Sequence, residues 1–187
     1  MPVWIWIVIA VLAVAVVAVI VGTSTSRRNR SERLKQQFGP EYERTVVETG
    51  DEKAAEKELI ARERKHKKLD IRPLTPQSFD GYVTRWRAVQ TAFVDHPSSA
   101  VGEADILVTE LMRERGYPVD DFEQQAADIS VDHPTVVENY RVAHDIHLAQ
   151  LHGDVGTEQQ RQAFVHYRAL FEKLLEADKD TTQEATA

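Results

Sequence analysis

The chain has no cysteine among its 187 residues. Disulfides, thiolate metal sites and thiol nucleophiles are therefore excluded, and the composition suits a reducing compartment. No alternating apolar and polar stretch of useful length occurs, so a sheet is not expected. There is no glycine-rich phosphate loop, no Gly-x-Ser-x-Gly and no His-Glu-x-x-His. These motifs would position phosphate, a serine nucleophile or a zinc ion, and without them neither an enzyme nor a cofactor is expected. Positive charge is scarce beyond residue 70. Residues 71–187 carry 10 Lys and Arg against 20 Asp and Glu, a balance of −10. A surface of that sign repels nucleic acid, so no nucleic-acid partner is expected.

What is present begins with an apolar run. Val3 to Gly22 is 20 residues without a charge. At about 1.5 Å per residue such a helix spans roughly 30 Å, the hydrocarbon thickness of a bilayer. Val and Ile favour strands elsewhere, but a lone strand in lipid leaves its backbone groups unpaired. Trp4 and Trp6 sit at one end, where indole rings favour the headgroup interface. At the other end Arg27, Arg28, Arg30, Arg33 and Lys35 stand within ten residues containing one acid, Glu32. The positive-inside rule then puts the N-terminus out and the C-terminal domain in the cytoplasm of a single-pass cell-membrane protein. The same five cations are candidates for contact with anionic lipid. A cleaved signal peptide fits less well, since it needs a basic n-region and a shorter apolar core.

The expected organisation is a transmembrane anchor at 1–22, a basic and charged juxtamembrane linker and helix at 23–70, a helical bundle domain at 71–176 and a disordered tail at 177–187. Residues 23–70 carry 13 Lys and Arg against 10 Asp and Glu. Within them Ala55 and Leu59 form only a narrow apolar seam, so the helix there is expected to be solvated or stalk-like. Arg72-Pro73-Leu74-Thr75-Pro76 reads as a hinge and a helix start, with Thr75 as cap and Pro76 at the first helical position. Phe79, Tyr82, Val83, Trp86, Val89 and Phe93 then recur on one face. A second helix carries Val101, Ala104, Leu107, Val108, Leu111 and Met112 and stops at Gly116. A short helix follows with Phe122, Ala126 and Ile129 inward. Two more carry Val136, Val137, Tyr140, Ala143, Leu148 and Leu151, then Ala163, Phe164, Tyr167, Leu170, Phe171, Leu174 and Leu175. Asp95 and Asp132, each before His-Pro, are expected to cap helices, as is Asp128. The fold class is all-α: an N-terminal transmembrane helix, a charged juxtamembrane helix, then an antiparallel bundle of about four main helices.

Four stretches carry a resemblance: Phe38-Gly39-Pro40-Glu41-Tyr42-Glu43-Arg44-Thr45, Leu69-Asp70-Ile71-Arg72-Pro73-Leu74, Trp86-Arg87-Ala88-Val89-Gln90, and Arg115-Gly116-Tyr117-Pro118-Val119-Asp120-Asp121-Phe122-Glu123-Gln124. With them the chain resembles a family of uncharacterised bacterial proteins that have one N-terminal membrane helix and a helical cytoplasmic-type domain. The resemblance implies no activity and no site residue.

Seven histidines are the place to look for chemistry. His144 and His147 both project within the apolar arc of their helix. At spacing i and i+3 they suit a shared metal, a ligand pocket with Tyr140 and Trp86, or two hydrogen-bonded core imidazoles. A zinc site needs three or four ligands, and no further pair stands at compatible spacing. Asp120, Asp121 and Glu123 point in different directions on a first helical turn, where negative charge favours the helix dipole. Two functions follow. The first is a membrane-anchored, non-enzymatic interaction or scaffold module with a protein partner. The second is a small-molecule or metal-binding sensor tethered to the membrane.

Overall fold

The computed structural model describes Trp4 and residues 28–153 and 155–184. All of the regular structure among the described residues is helical. The elements are α1 (residues 28–38), α2 (Pro40–Thr49), α3 (Glu52–His66), α4 (Pro76–Asp95), α5 (Pro97–Arg115), α6 (Phe122–Asp132), α7 (Val137–Leu151) and α8 (Thr157–Glu184). The expected membrane span at 3–22 lies outside the described residues except for Trp4. Among the described residues, no helix is long and apolar enough to cross a membrane.

The chain divides into two compact units, Met1–Glu56 and Lys57–Ala187. The boundary expected at residue 70 falls inside the second. In the first unit Leu34, Phe38, Tyr42, Thr45 and Ala55 are fully or almost fully buried. Side chains on α1 and α2 reach the start of α3: Ser31 Oγ donates to Glu56, Lys35 lies 3.5 Å from Glu52, and Tyr42 Oη donates to Glu52 at 2.9 Å. Residues 28–56 thus have a small core of their own, and on α3, expected to be solvated or stalk-like, both Ala55 and Leu59 are fully buried. A narrow seam suffices because each helix is short and contributes only one or two large side chains.

In the second unit α5 is central, packing against α4, α7 and α8, while α7 packs on α6 and α8. Every apolar residue expected on the inner faces of α5 and α8 is buried. On α4, Tyr82, Trp86 and Val89 are buried, with Phe79, Val83 and Phe93 half-buried beside them. The Trp86 ring stacks on Phe164 at 5.2 Å and on Phe171 at 4.5 Å, tying α4 to α8. Such aromatic contacts contribute about 0.5–1.5 kcal/mol each beyond simple area burial. On α7 the arc is narrower than expected. Val137, Tyr140 and Ala143 are buried, but Leu148 is 43% and Leu151 67% exposed. Leu148 lies at the edge of the inward arc, and Leu151 is the last residue of the helix.

The caps divide into two groups. Thr75 accepts from Ser78 N at 3.1 Å and Asp121 from Gln124 N at 2.8 Å, so both cap as N-cap residues do. Asp95 and Asp132 do not cap the helices after them. Each is the last residue of the preceding helix, and His96 and His133 take the junction positions with extended or irregular backbone. The His-Pro pair explains this, because proline restricts the residue before it to non-helical backbone. Asp128 also lies inside α6, fully buried. The tail expected to be disordered from 177 continues as helix through Glu184, since extending a formed helix fixes only one residue at a time.

Gly116 ends α5 with φ of 96°, and its N–H is accepted by Met112 and Arg113 carbonyls. The segment after α3 crosses it closely: a Cβ at Gly116 would lie 2.3 Å from the Asp70 carbonyl oxygen. Arg72 N donates to Arg115 O at 2.9 Å in the same crossing. Both the left-handed conformation and the close approach demand glycine.

Candidate functional site

Asp105, on α5, collects the polar groups of the bundle interior. Tyr167 of α8 donates to its Oδ1 at 2.8 Å. His144 Nδ1, on α7, stands 3.9 Å from the same oxygen, an ion-pair separation when the imidazole is protonated. The His144 ring lies flat on Phe122 of α6, with centroids 3.6 Å apart and planes 9° from parallel. Tyr140, one turn earlier, donates to Gln125 at 2.6 Å and packs its ring against Tyr167 and Phe122. His147 sits opposite Gly102, whose missing side chain leaves the imidazole Cε1 in ordinary contact range at 3.6 Å.

Burial by itself raises the Asp105 carboxyl. The adjacent His144, the Tyr167 hydroxyl and the charge of His147 outweigh it and hold the group below the ordinary carboxylate range. The Tyr140 and Tyr167 phenols move the other way, raised first by burial and then by the negative charge of Asp105. Both phenols are thus fixed as neutral hydroxyls. The cluster can orient an imidazole and hold a carboxylate ionised inside the bundle.

Of the four pocket candidates, His144, His147 and Tyr140 come together around Asp105. Trp86 belongs to the separate stack on Phe164 and Phe171. Asp105, Tyr167, Phe122 and Gln125 were missed as site residues. Tyr167 and Phe122 read as core residues, and an aspartate on the buried side of α5 gives no signal in its own helix. Among the described residues no group of three or more His, Asp or Glu is arranged to hold a metal ion. Of the basic residues after the apolar run, Arg27 lies outside the described residues, Arg33 donates to Gln37 at 2.9 Å, and Lys35 divides between Glu52 and the Tyr42 ring.

No family model matches the chain, and neither a curated protein nor a solved structure matches it.

Proposed function

We propose that the chain is a single-pass membrane protein whose helical domain is a non-enzymatic interaction or scaffold module. The 20-residue uncharged run at 3–22 is its anchor, and Arg27, Arg28, Arg30, Arg33 and Lys35 keep the following domain on the cytoplasmic side. The resemblance to bacterial proteins of this layout belongs to the same reading. Tethering confines the domain to the membrane and raises its local concentration there. The observation that carries the module reading is how the interior polar groups are used. Tyr140, Tyr167 and Asp105 join helices to one another by hydrogen bonds, and the Trp86 ring does so by stacking, which is a structural task. Exposed apolar side chains, Ile106 of α5, Leu148 and Leu151 of α7 and Val165 of α8, remain on the outside for a partner.

The test is in-cell crosslinking of the full-length protein followed by mass spectrometry. A membrane protein crosslinked reproducibly through residues 71–175 supports the reading. Recovery of self-links and lipids alone counts against it. A topology reporter after Ala187 checks the orientation, and a signal on the outer side overturns it.

A tethered sensor is the second reading, favoured by the partly exposed His144 ring backed by Asp105 and Phe122. It requires that a double change of His144 and His147 to Ala abolish stabilisation by a screened small molecule. A screen in which nothing stabilises the unaltered protein removes it.

A further inference from the structure

The C-terminal turn of α3 ends in a polar joint at the junction of α6 and α7. His66 Nε2 lies 2.8 Å from Asp132 Oδ2, with the His66 side chain only 12% exposed. Tyr117, in the connection after α5, donates its hydroxyl to the same oxygen at 2.8 Å. The His66 and Tyr117 rings stand 6.2 Å apart. Immediately after Asp132 comes His133, buried, with neither ring nitrogen hydrogen-bonded to any described residue. One carboxylate therefore holds a phenol by a hydrogen bond and an imidazole by close approach, and the next residue carries a buried imidazole without a hydrogen-bond partner among the described residues. Downstream of α3 the chain is held separately, since Arg72 N and Nε donate to the carbonyls of Arg115 and Glu114 at 2.9 and 3.3 Å. Only the few residues between His66 and Arg72 link the two attachments.

Burial and the charged neighbours make a proton on His133 costly in the closed joint. Arg115 of α5, Lys173 of α8 and His66 of α3, all cationic or able to become so, act electrostatically on the ring, and the Asp132 carboxylate opposes them. Asp128 of α6, fully buried, adds its charge to the surroundings of Tyr117. Burial is the largest effect; it outweighs the opposing pull of Asp132 and, with the smaller repulsion of Arg115, Lys173 and His66, pushes the His133 imidazole down to about 4. Burial raises the Asp132 carboxyl, but His66, Tyr117 and the charge of His133 hold it below the ordinary range, so it stays ionised.

We propose that this joint is a proton-operated latch: uptake of a proton at His133 releases the C-terminal turn of α3 from the α6–α7 junction. An imidazolium at 66 is neutralised by Asp132. An imidazolium at 133 has to compete for the same carboxylate, repels His66, and is buried among Arg115 and Lys173. Relief comes from exposing His133 to water, which separates the elements that cover it. The latch is independent of which partner the module binds. It makes the end of α3, the helix entering the bundle, responsive to acidification.

The experiment uses the full-length chain in lipid nanodiscs. The protein has no native cysteine, so Lys65→Cys and Glu123→Cys, both at exposed positions, accept spin labels specifically. The distance between the labels is measured by pulsed electron resonance from about pH 7 to about pH 4.5, with helix content followed in parallel. The expected result is one short distance at neutral pH, and a second, longer one that grows on acidification while helix content is unchanged. In the His133→Gln background the short distance persists across the range. A longer distance that appears equally in His133→Gln overturns the latch. So does a short distance that persists until helix content itself is lost. Should His133→Gln fail to fold at neutral pH, the His133 ring signal in the labelled parent is followed by NMR. Titration in step with the distance change supports the latch, and a ring signal unmoved through that change overturns it.

Discussion

At the scale of single residues, the positions that matter most are those with two constraints at once. Gly116 combines a φ of 96° with the Asp70 carbonyl crossing over it, so Gly116→Ala meets both strain and collision. An alanine in a left-handed position alone costs about 1 kcal/mol, and backbone displacement adds to it. A loss of about 2–4 kcal/mol is expected, read as a fall in the urea midpoint. A loss below about 1 kcal/mol would show that the crossing yields easily. Tyr167→Phe acts on a different balance. It removes the hydroxyl that donates to Asp105 at 2.8 Å and leaves a largely buried carboxylate with one donor fewer. The expected cost is about 1–3 kcal/mol, accompanied by a rise in the Asp105 titration measured by carboxyl NMR. An Asp105 titration that does not move in the variant contradicts the assigned role of that hydrogen bond.

At the scale of elements, α4 depends on its start and on one ring. Thr75→Ala removes the acceptor for Ser78 N and is expected to cost about 1 kcal/mol. Trp86→Ala removes the ring that stacks on both Phe164 and Phe171 and is expected to cost about 3–5 kcal/mol. The ordering of the two, measured as shifts in thermal midpoint, is the check, and a cap effect exceeding the ring effect contradicts the packing described. The helices of the bundle were legible because their apolar residues recur at helical spacing over about three turns, as on α5 and α8. Thr75-Pro76 and Gly116 were legible because their backbone roles follow from the residue alone. The caps at Asp95 and Asp132 were misread, since the same Asp-His-Pro string can end one helix or begin the next, and only the backbone at the histidine decides. The site was half legible. His144, His147 and Tyr140 share one helix and its periodicity reveals them, whereas Asp105 and Tyr167 come from helices distant in sequence. Nothing local in α5 distinguishes Asp105 from a solvated aspartate.

At the scale of the whole molecule, acid stability joins the two polar clusters. Asp105 and Asp132 have folded titrations below their ordinary value, so the unfolded chain takes up protons first as pH falls. The stability they contribute is complete above the unfolded carboxylate value of about 3.9 and is lost as pH drops through the folded value. His133 also has its folded titration depressed, from 6.5 to about 4, so the unfolded state again binds the proton first. Its effect therefore begins earlier: stability falls from about pH 6.5 downward and the loss is complete near pH 4, before either carboxylate contributes. The full shift corresponds to about 3 kcal/mol as an upper bound, reduced if the joint opens and hydrates the ring. Urea midpoints of the full chain, followed by circular dichroism at steps between about pH 7.5 and 3, are expected to fall in two limbs. His133→Gln should flatten the limb between about pH 6.5 and 4 and leave the lower limb in place, because a neutral amide carries no proton in either state. Tyr167→Phe should instead alter only the lower limb, where Asp105 titrates. A single limb confined below about pH 4 in the unaltered chain, with a label distance that stays short over the same range, would mean that His133 is already hydrated in the closed joint, and it would remove the electrostatic basis of the latch.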